Sequence, residues 1–389
     1  MPRVYLDNNA TTPLDDRVKE AITGALDLWA NPSSNNDNAV RSAEAIGDAR
    51  EHLANMFNTN AEGVVFTSGG TESNNWVIDG CIRNWRKNNK GVPHVVTTNI
   101  EHPSIMEPLK RREEEGEIAV TYVSVNPSTG YVTPQSILNA LSPATCLVTI
   151  MLANNETGVL QPVADTYALI RQTIKTVPFL HSDVAQAAGK IPVDVKALGV
   201  DAVTVVGHKF YGPRNGALIF APKAVRLPPM LLGGNQESGW RSGTENTPMI
   251  VGLGEAARVY NEGADNIESV LRQNRDYFEE LLVKRLRNSH LIHFLSSPRL
   301  PNTSSVAFLD YPSHGCDLLE KCQTFYASTG AACHKNECSP ILKACGVSFA
   351  VASKTVRISF GRSTKLFEIE TVVDELVRLC SPPPEKEPN

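Results

Sequence analysis

DAVTVVGHKFYGPRNGALIF (residues 201–220) reads as strand, turn, strand, with a lysine at the turn. The apolar run at 202–206 ends in Gly207, His208 and Lys209, and a second run follows at 217–220 (ALIF). Unbroken apolar runs of this length suit strands covered on both faces. Similar runs stand upstream at 64–67 (VVFT), 94–98 (HVVTT), 119–124 (AVTYVS), 146–152 (CLVTIML) and 178–181 (PFLH). Between several of them lie stretches with helical spacing, at 71–86, 103–115, 134–142 and 162–175. Strands alternating with helices predict βαβ units, hence an α/β fold with a mainly parallel seven-stranded sheet.

Past residue 248 the pattern changes. One long helical stretch spans about 249–288, and the remainder (306–309, 315–323, 355–360, 366–380) reads as a smaller α+β unit. The boundary is expected inside the long helix, near residue 260. The last nine residues, SPPPEKEPN, are Pro-rich and charged, and disorder is expected there.

The composition narrows the function. A chain of 389 residues buries about three quarters of its unfolded surface, enough for a large core. Lys and Arg number 37 against 42 Asp and Glu, a net charge of −5. That leaves no basic excess for a nucleic-acid backbone. No apolar run approaches the roughly 18 residues of a membrane helix. The N-terminal MPRVYLDNNATTP carries no apolar core of a leader and no Arg/Ser-rich amphipathic stretch. The expectation is a soluble, cytoplasmic protein with no membrane or nucleic-acid partner. Eight cysteines in so long a chain do not form a disulfide framework, and Cys146, within an apolar run, is expected to be a buried hydrophobe.

Five polar clusters each follow an apolar run directly. They are SGGTESNN (68–75), IEHPS (100–104), ANNETG (153–158), SDVAQ (182–186) and GHKFYG (207–212). In open α/β sheets ligands bind beyond the carboxyl ends of the strands, so the five predict one shared site. Gly69, Gly70 and Thr71 at a helix N-terminus suit a phosphate, though Gly-Gly before a helix is also an ordinary turn. Neither the Gly-Lys-Ser/Thr of a P-loop nor the dinucleotide fingerprint is present. Lys209, partly desolvated, would have a lowered pKa and suit a Schiff base, against the alternative of a solvated loop lysine. Asp183 suits a protonated ring nitrogen, or a helix N-cap. A phosphate cradle, a Schiff-base lysine and a carboxylate are the groups that pyridoxal phosphate demands.

Cys333 lies in the Gly/Ala-rich ASTGAACHKNECSP, beside His334 and Lys335, an electropositive setting that suits a thiolate, against the alternative of a passive surface thiol. A metal site from Cys333, His334, Cys338 and Cys345 matches no common zinc spacing, and no metal is expected. Arg357, at the start of a predicted strand, suits a substrate carboxylate, or a surface ion pair.

YLDNNATTP, FTSGGTESNN, IEHPS, ANNETG, HSDVAQ, GHKFYGPR, RSGTENTP, TGAACH and VRISFGR stand in this order over residues 3–380. The chain thereby resembles the NifS-like cysteine desulfurase and selenocysteine lyase family of fold-type-I pyridoxal-phosphate enzymes, most closely its animal lyase branch. The resemblance implies an aspartate-aminotransferase-like fold. A large cofactor-binding domain would span 16–260. Residues 1–15 and 261–380 would form a small domain with the cysteine loop.

It also implies roles. Lys209 would carry the cofactor and shuttle the α-proton, and His102 would stack on the ring and assist acid–base steps. Asp183 would pair with the ring nitrogen, and Asn155 and Gln186 would contact the ring or its phenolic oxygen. Gly70, Thr71 and His208 would bind phosphate. Thr244 would reach the phosphate of a neighbouring subunit, which implies a homodimer. Arg357, with Asn155, would hold the substrate, and Cys333 would meet its selenium or sulfur. The implied reaction turns L-selenocysteine into L-alanine and selenide or elemental selenium. The alternative is a cysteine desulfurase that forms a Cys333 persulfide for an acceptor protein. A non-catalytic scaffold is disfavoured by the intact Lys209 and Cys333. Two positions depart from the pattern. Val206 replaces the hydroxyl residue usual in desulfurases, and Pro103 stands where mammalian lyases have Asp.

Overall fold

The computed structural model describes residues 2–286, 289–329 and 338–380. Its strands are β1 (Val4–Tyr5), β2 (Val64–Thr67), β3 (His94–Thr98), β4 (Ala119–Val123), β5 (Thr145–Thr149), β6 (Phe179–Asp183), β7 (Ala202–Val206), β8 (Gly216–Phe220), β9 (His290–Ile292), β10 (Thr303–Phe308), β11 (Phe325–Tyr326) and β12 (Thr355–Ser359). Seven of them form the central sheet, in the order β2-β8-β7-β6-β5-β3-β4. Only β8 runs antiparallel to its neighbours.

The apolar runs are continuous because both sheet faces are covered. On one face Val96, Val148, Val203 and Ile219 join the larger core. On the other, Val95, Leu147, Ala202 and Leu218 pack with Trp76, Ile78, Ile105 and Leu109. Neighbouring residues thus serve opposite cores, as the two-residue period of a strand requires. Trp76 and Ile78 come from the helix Gly70–Asn88, and Ile105 and Leu109 from the helix Pro103–Glu114. These helices and Val163–Thr173 are the crossovers between parallel strands.

A second, three-stranded antiparallel sheet has the order β12-β10-β9. With the helix Leu366–Cys380 it encloses its own core of Phe308, Val356, Ile358, Val372 and Leu376. Leu6 enters that core from the N-terminus, and β1 pairs with β11. The helix Thr247–Leu286 joins the two cores. Its Ile250, Leu253 and Leu271 sit in the sheet-side core, and its Phe278 and Leu282 in the smaller one. Gly263 interrupts it with non-helical angles (φ −134°, ψ 16°). Cys146 is buried, as expected. Among the described residues no helix is long and apolar enough to cross a membrane.

Candidate functional site

Five polar clusters converge beyond the carboxyl ends of β2, β3, β5, β6 and β7, around a cavity of about 370 Å³. Lys209 lies on the short turn Gly207–Lys209 that ends β7. Its Nζ donates to the carbonyls of Asn9 (2.7 Å) and Ala10 (2.8 Å). Burial lowers its pKa to about 8, the Arg357 charge adding and the Asp183 and Asp7 carboxylates opposing. The amine is therefore poised to gain or lose a proton near neutral pH.

Asp183, the last residue of β6, is 8% exposed. Its Oδ2 accepts from Asn74 Nδ2 (2.8 Å) and its Oδ1 from the Ala185 N–H (2.9 Å). Asn74 Nδ2 also donates to Ser104 Oγ (2.8 Å). The carboxylate is thus held in place at the wall of the cavity. His102 caps the helix Pro103–Glu114, its Nδ1 accepting from the Ser104 N–H (3.1 Å) and lying 2.8 Å from Ser104 Oγ. Desolvation against the cavity wall lowers its pKa; Asp183 opposes and Lys209 adds.

The helix Gly70–Asn88, which also borders the cavity, begins with no side-chain cap. Its first amides have no partner within the helix, and they meet the cavity at Gly70 and Thr71. Gly70 is required by close approach: a Cβ there would stand 2.6 Å from Val206 Cγ2. Val206 is the packing surface under the cradle in place of a hydroxyl donor. His208 Nδ1 lies 3.0 Å from Thr11 Oγ1. Burial and the Lys209 charge lower its pKa to about 4, so the imidazole is neutral.

Arg357 is the third residue of β12 rather than its first, held mid-strand opposite Ser305. It is 5% exposed, not on the surface. Nη2 pairs with Asp7 (2.6 Å) and Nη1 donates to the Asn155 carbonyl (2.9 Å). Its Nε and Asn74 Oδ1 are buried with no partner among the described residues. Gln186 Nε2 donates to the Asn9 carbonyl (3.0 Å).

Gly70, Thr71, His102, Asn155, Asp183, Gln186, His208, Lys209 and Arg357 all line this one cavity. Thr244 does not; it lines another, with Ser68, Arg214 and Asn246. Cys333, with His334 and Lys335, lies outside the described residues, as does the tail 381–389. The residues that hold the site residues were missed in the sequence: Asp7, Asn9, Asn74, Ser104 and Lys190. Several sit inside the quoted clusters, but which side chain turns inward has no sequence signal. Glu101, beside His102, is another. Its carboxyl accepts from Thr98 Oγ1 (2.6 Å) and the Met151 N–H (2.9 Å), and burial pushes it up to about 8.

These residues fit pyridoxal phosphate. An uncapped helix N-terminus, a fixed carboxylate and an amine with lowered pKa all meet the same cavity. Fold and site together define a pyridoxal-phosphate-dependent enzyme of fold type I. The chain belongs to the aminotransferase class-V family, whose model matches residues 4–372. It is 44% identical to the selenocysteine lyase of Bos taurus, over 96% of this chain and 92% of that one. It is 35% identical to a cysteine desulfurase of Methanosarcina thermophila, over 95% and 90%. A solved NifS-like protein superposes with a TM-score of 0.88 at 31% identity, covering 97% of this chain and 99% of that one.

Proposed function

We propose that the protein is a lyase that splits L-selenocysteine into L-alanine and selenium, which leaves as elemental selenium or, when a thiol reductant supplies two electrons, as selenide. One observation carries the reading: Arg357, buried with an unpartnered Nε–H, lines the same cavity as Lys209. A guanidinium for a carboxylate and an amine for a Cα proton are what an α-amino acid substrate needs. The greater identity to a selenocysteine lyase than to a desulfurase supports selenium as the leaving atom.

Pyridoxal phosphate, when bound, supplies an electron sink for charge developing at the substrate Cα. Gly70, Thr71 and His208 would hold its phosphate, Asp183 its ring nitrogen, His102 its ring face, and Asn155 and Gln186 its ring edge. Lys209 would hold it covalently and move the Cα proton at Nζ. Arg357 would bind the substrate carboxylate. Cys333 would receive the leaving atom. With cysteine, its thiolate attacks the substrate sulfur; the S–S bond of a persulfide forms as the Cβ–S bond breaks. Thr244, away from this chain's own cavity, would serve the site of a second copy in a homodimer. The division into 16–260 and the rest, and a cytoplasmic setting, belong to the same proposal.

Cysteine desulfuration is the second reading, favoured by Pro103. Alanine release from L-selenocysteine and L-cysteine, measured side by side with reductant, tests both. A kcat/KM favouring selenium by orders of magnitude supports the lyase, and comparable values support the desulfurase. Lys209→Ala should abolish both activities, and retained turnover would sink the assignment. Cys333→Ala should abolish cysteine turnover first.

A further inference from the structure

The turn after β6 holds a second lysine with no part in the reaction above. Lys190 is 4% exposed. Its Nζ donates to the Gln186 carbonyl (2.9 Å) and to Gln186 Oε1 (2.9 Å). Burial drives its pKa well down, and the Lys209 and Arg357 charges add to the effect. Both acceptors belong to one residue, so the lysine grips Gln186 by its backbone and its side chain at once.

The bond to Oε1 decides which way the Gln186 amide faces. With its oxygen turned to Lys190, Nε2 turns the other way and donates to the Asn9 carbonyl. That same carbonyl accepts from Lys209 Nζ. A flipped amide would set two carbonyl oxygens against each other and leave Lys190 facing an NH₂ group. The turn between Gln186 and Lys190 packs closely against the segment that carries Lys209. Gly189 has a left-handed φ of +75°, and a Cβ there would stand 2.2 Å from Cβ of Phe210, the residue after Lys209.

We propose that Lys190 is a positioning residue that fixes the Gln186 amide with its donor toward the cofactor cavity. The proposal rests on the reading that Gln186 contacts bound pyridoxal phosphate.

The test is the visible absorption of the holoenzyme and the pH at which its band titrates. It compares wild type, Gln186→Ala, Lys190→Met, Lys190→Gln and the double variant Gln186→Ala/Lys190→Met. Loss of one directed hydrogen bond is expected to move the midpoint by about half a pH unit in Lys190→Met. Gln186→Ala should move it the same way, and the double variant no further. Lys190→Gln, whose amide can still donate to Oε1, should stay near wild type. A wild-type midpoint in Lys190→Met beside a shifted Gln186→Ala would overturn the proposal, as would additive shifts. An unmoved Gln186→Ala would overturn the underlying reading of Gln186 and the proposal with it. If Lys190→Met does not fold, Lys190→Gln decides: a midpoint like that of Gln186→Ala refutes the proposal.

Discussion

The pKa of Lys209 has a consequence that can be measured without substrate. Only the neutral amine has a lone pair with which to capture the aldehyde of pyridoxal phosphate. With its pKa at about 8, the neutral fraction is about a tenth at pH 7 and about nine tenths at pH 9. The rate of uptake by cofactor-free protein should therefore rise about tenfold over that interval and flatten above it. An ordinary lysine near 10.4 would give a rise of about a hundredfold with no plateau. The assay is stopped-flow absorbance in the visible, referred to the same reaction of Nα-acetyl-lysine to remove the cofactor's own ionisation. The cause can be tested as well as the value. Arg357 lowers this pKa, so Arg357→Gln should move the midpoint up. Asp7 raises it, so Asp7→Asn should move the midpoint down. A rate that climbs in proportion to hydroxide through pH 9.5, or an Arg357→Gln midpoint that falls, would refute the reasoning.

Asp183 and Gly70, both at the cavity wall, give two further expected outcomes. Asp183→Asn keeps the shape of a side chain held by Asn74 and the Ala185 N–H, removes its charge and turns one of its two acceptors into a donor, which the Asn74 amide meets by turning over. Turnover should drop by about 10²-fold or more while the melting temperature stays close to wild type, and near-wild-type kcat would show that the charge is not used. Gly70→Ala puts a Cβ 2.6 Å from Val206 Cγ2, so either the valine side chain or the helix N-terminus must shift. Retention of pyridoxal phosphate should weaken by about tenfold, read by equilibrium dialysis, although alanine is the better helix former; unchanged retention would show that the cradle does not depend on this contact.

The sheet was legible because its strands are covered on both sides. Runs such as VVFT and HVVTT admit no amphipathic helix of that length, and all seven predicted strands form, within a few residues of their expected ends. Lys209, Asp183 and His102 were legible for a related reason: each stands directly after such a run, where a parallel sheet opens its ligand cleft. Arg357 was legible as a residue but not as a position. Its strand starts two residues earlier, and only the pairing of β10 with β12 turns it inward. The long helix was legible, but the point where its apolar face passes from one core to the other, between Leu271 and Phe278, was not.

Residue types and their order determined the fold class, the cofactor and the reacting groups, because burial periodicity and chemical identity are local properties of a chain. The groups that hold those residues in place were decided by tertiary structure alone. Asn9 takes Lys209 from 200 residues away, and Asp7 takes Arg357 from 350. Asn74 reaches Asp183 across 109. Such partners are chosen by which buried donor needs which acceptor once the chain has closed, and no spacing along the sequence records that.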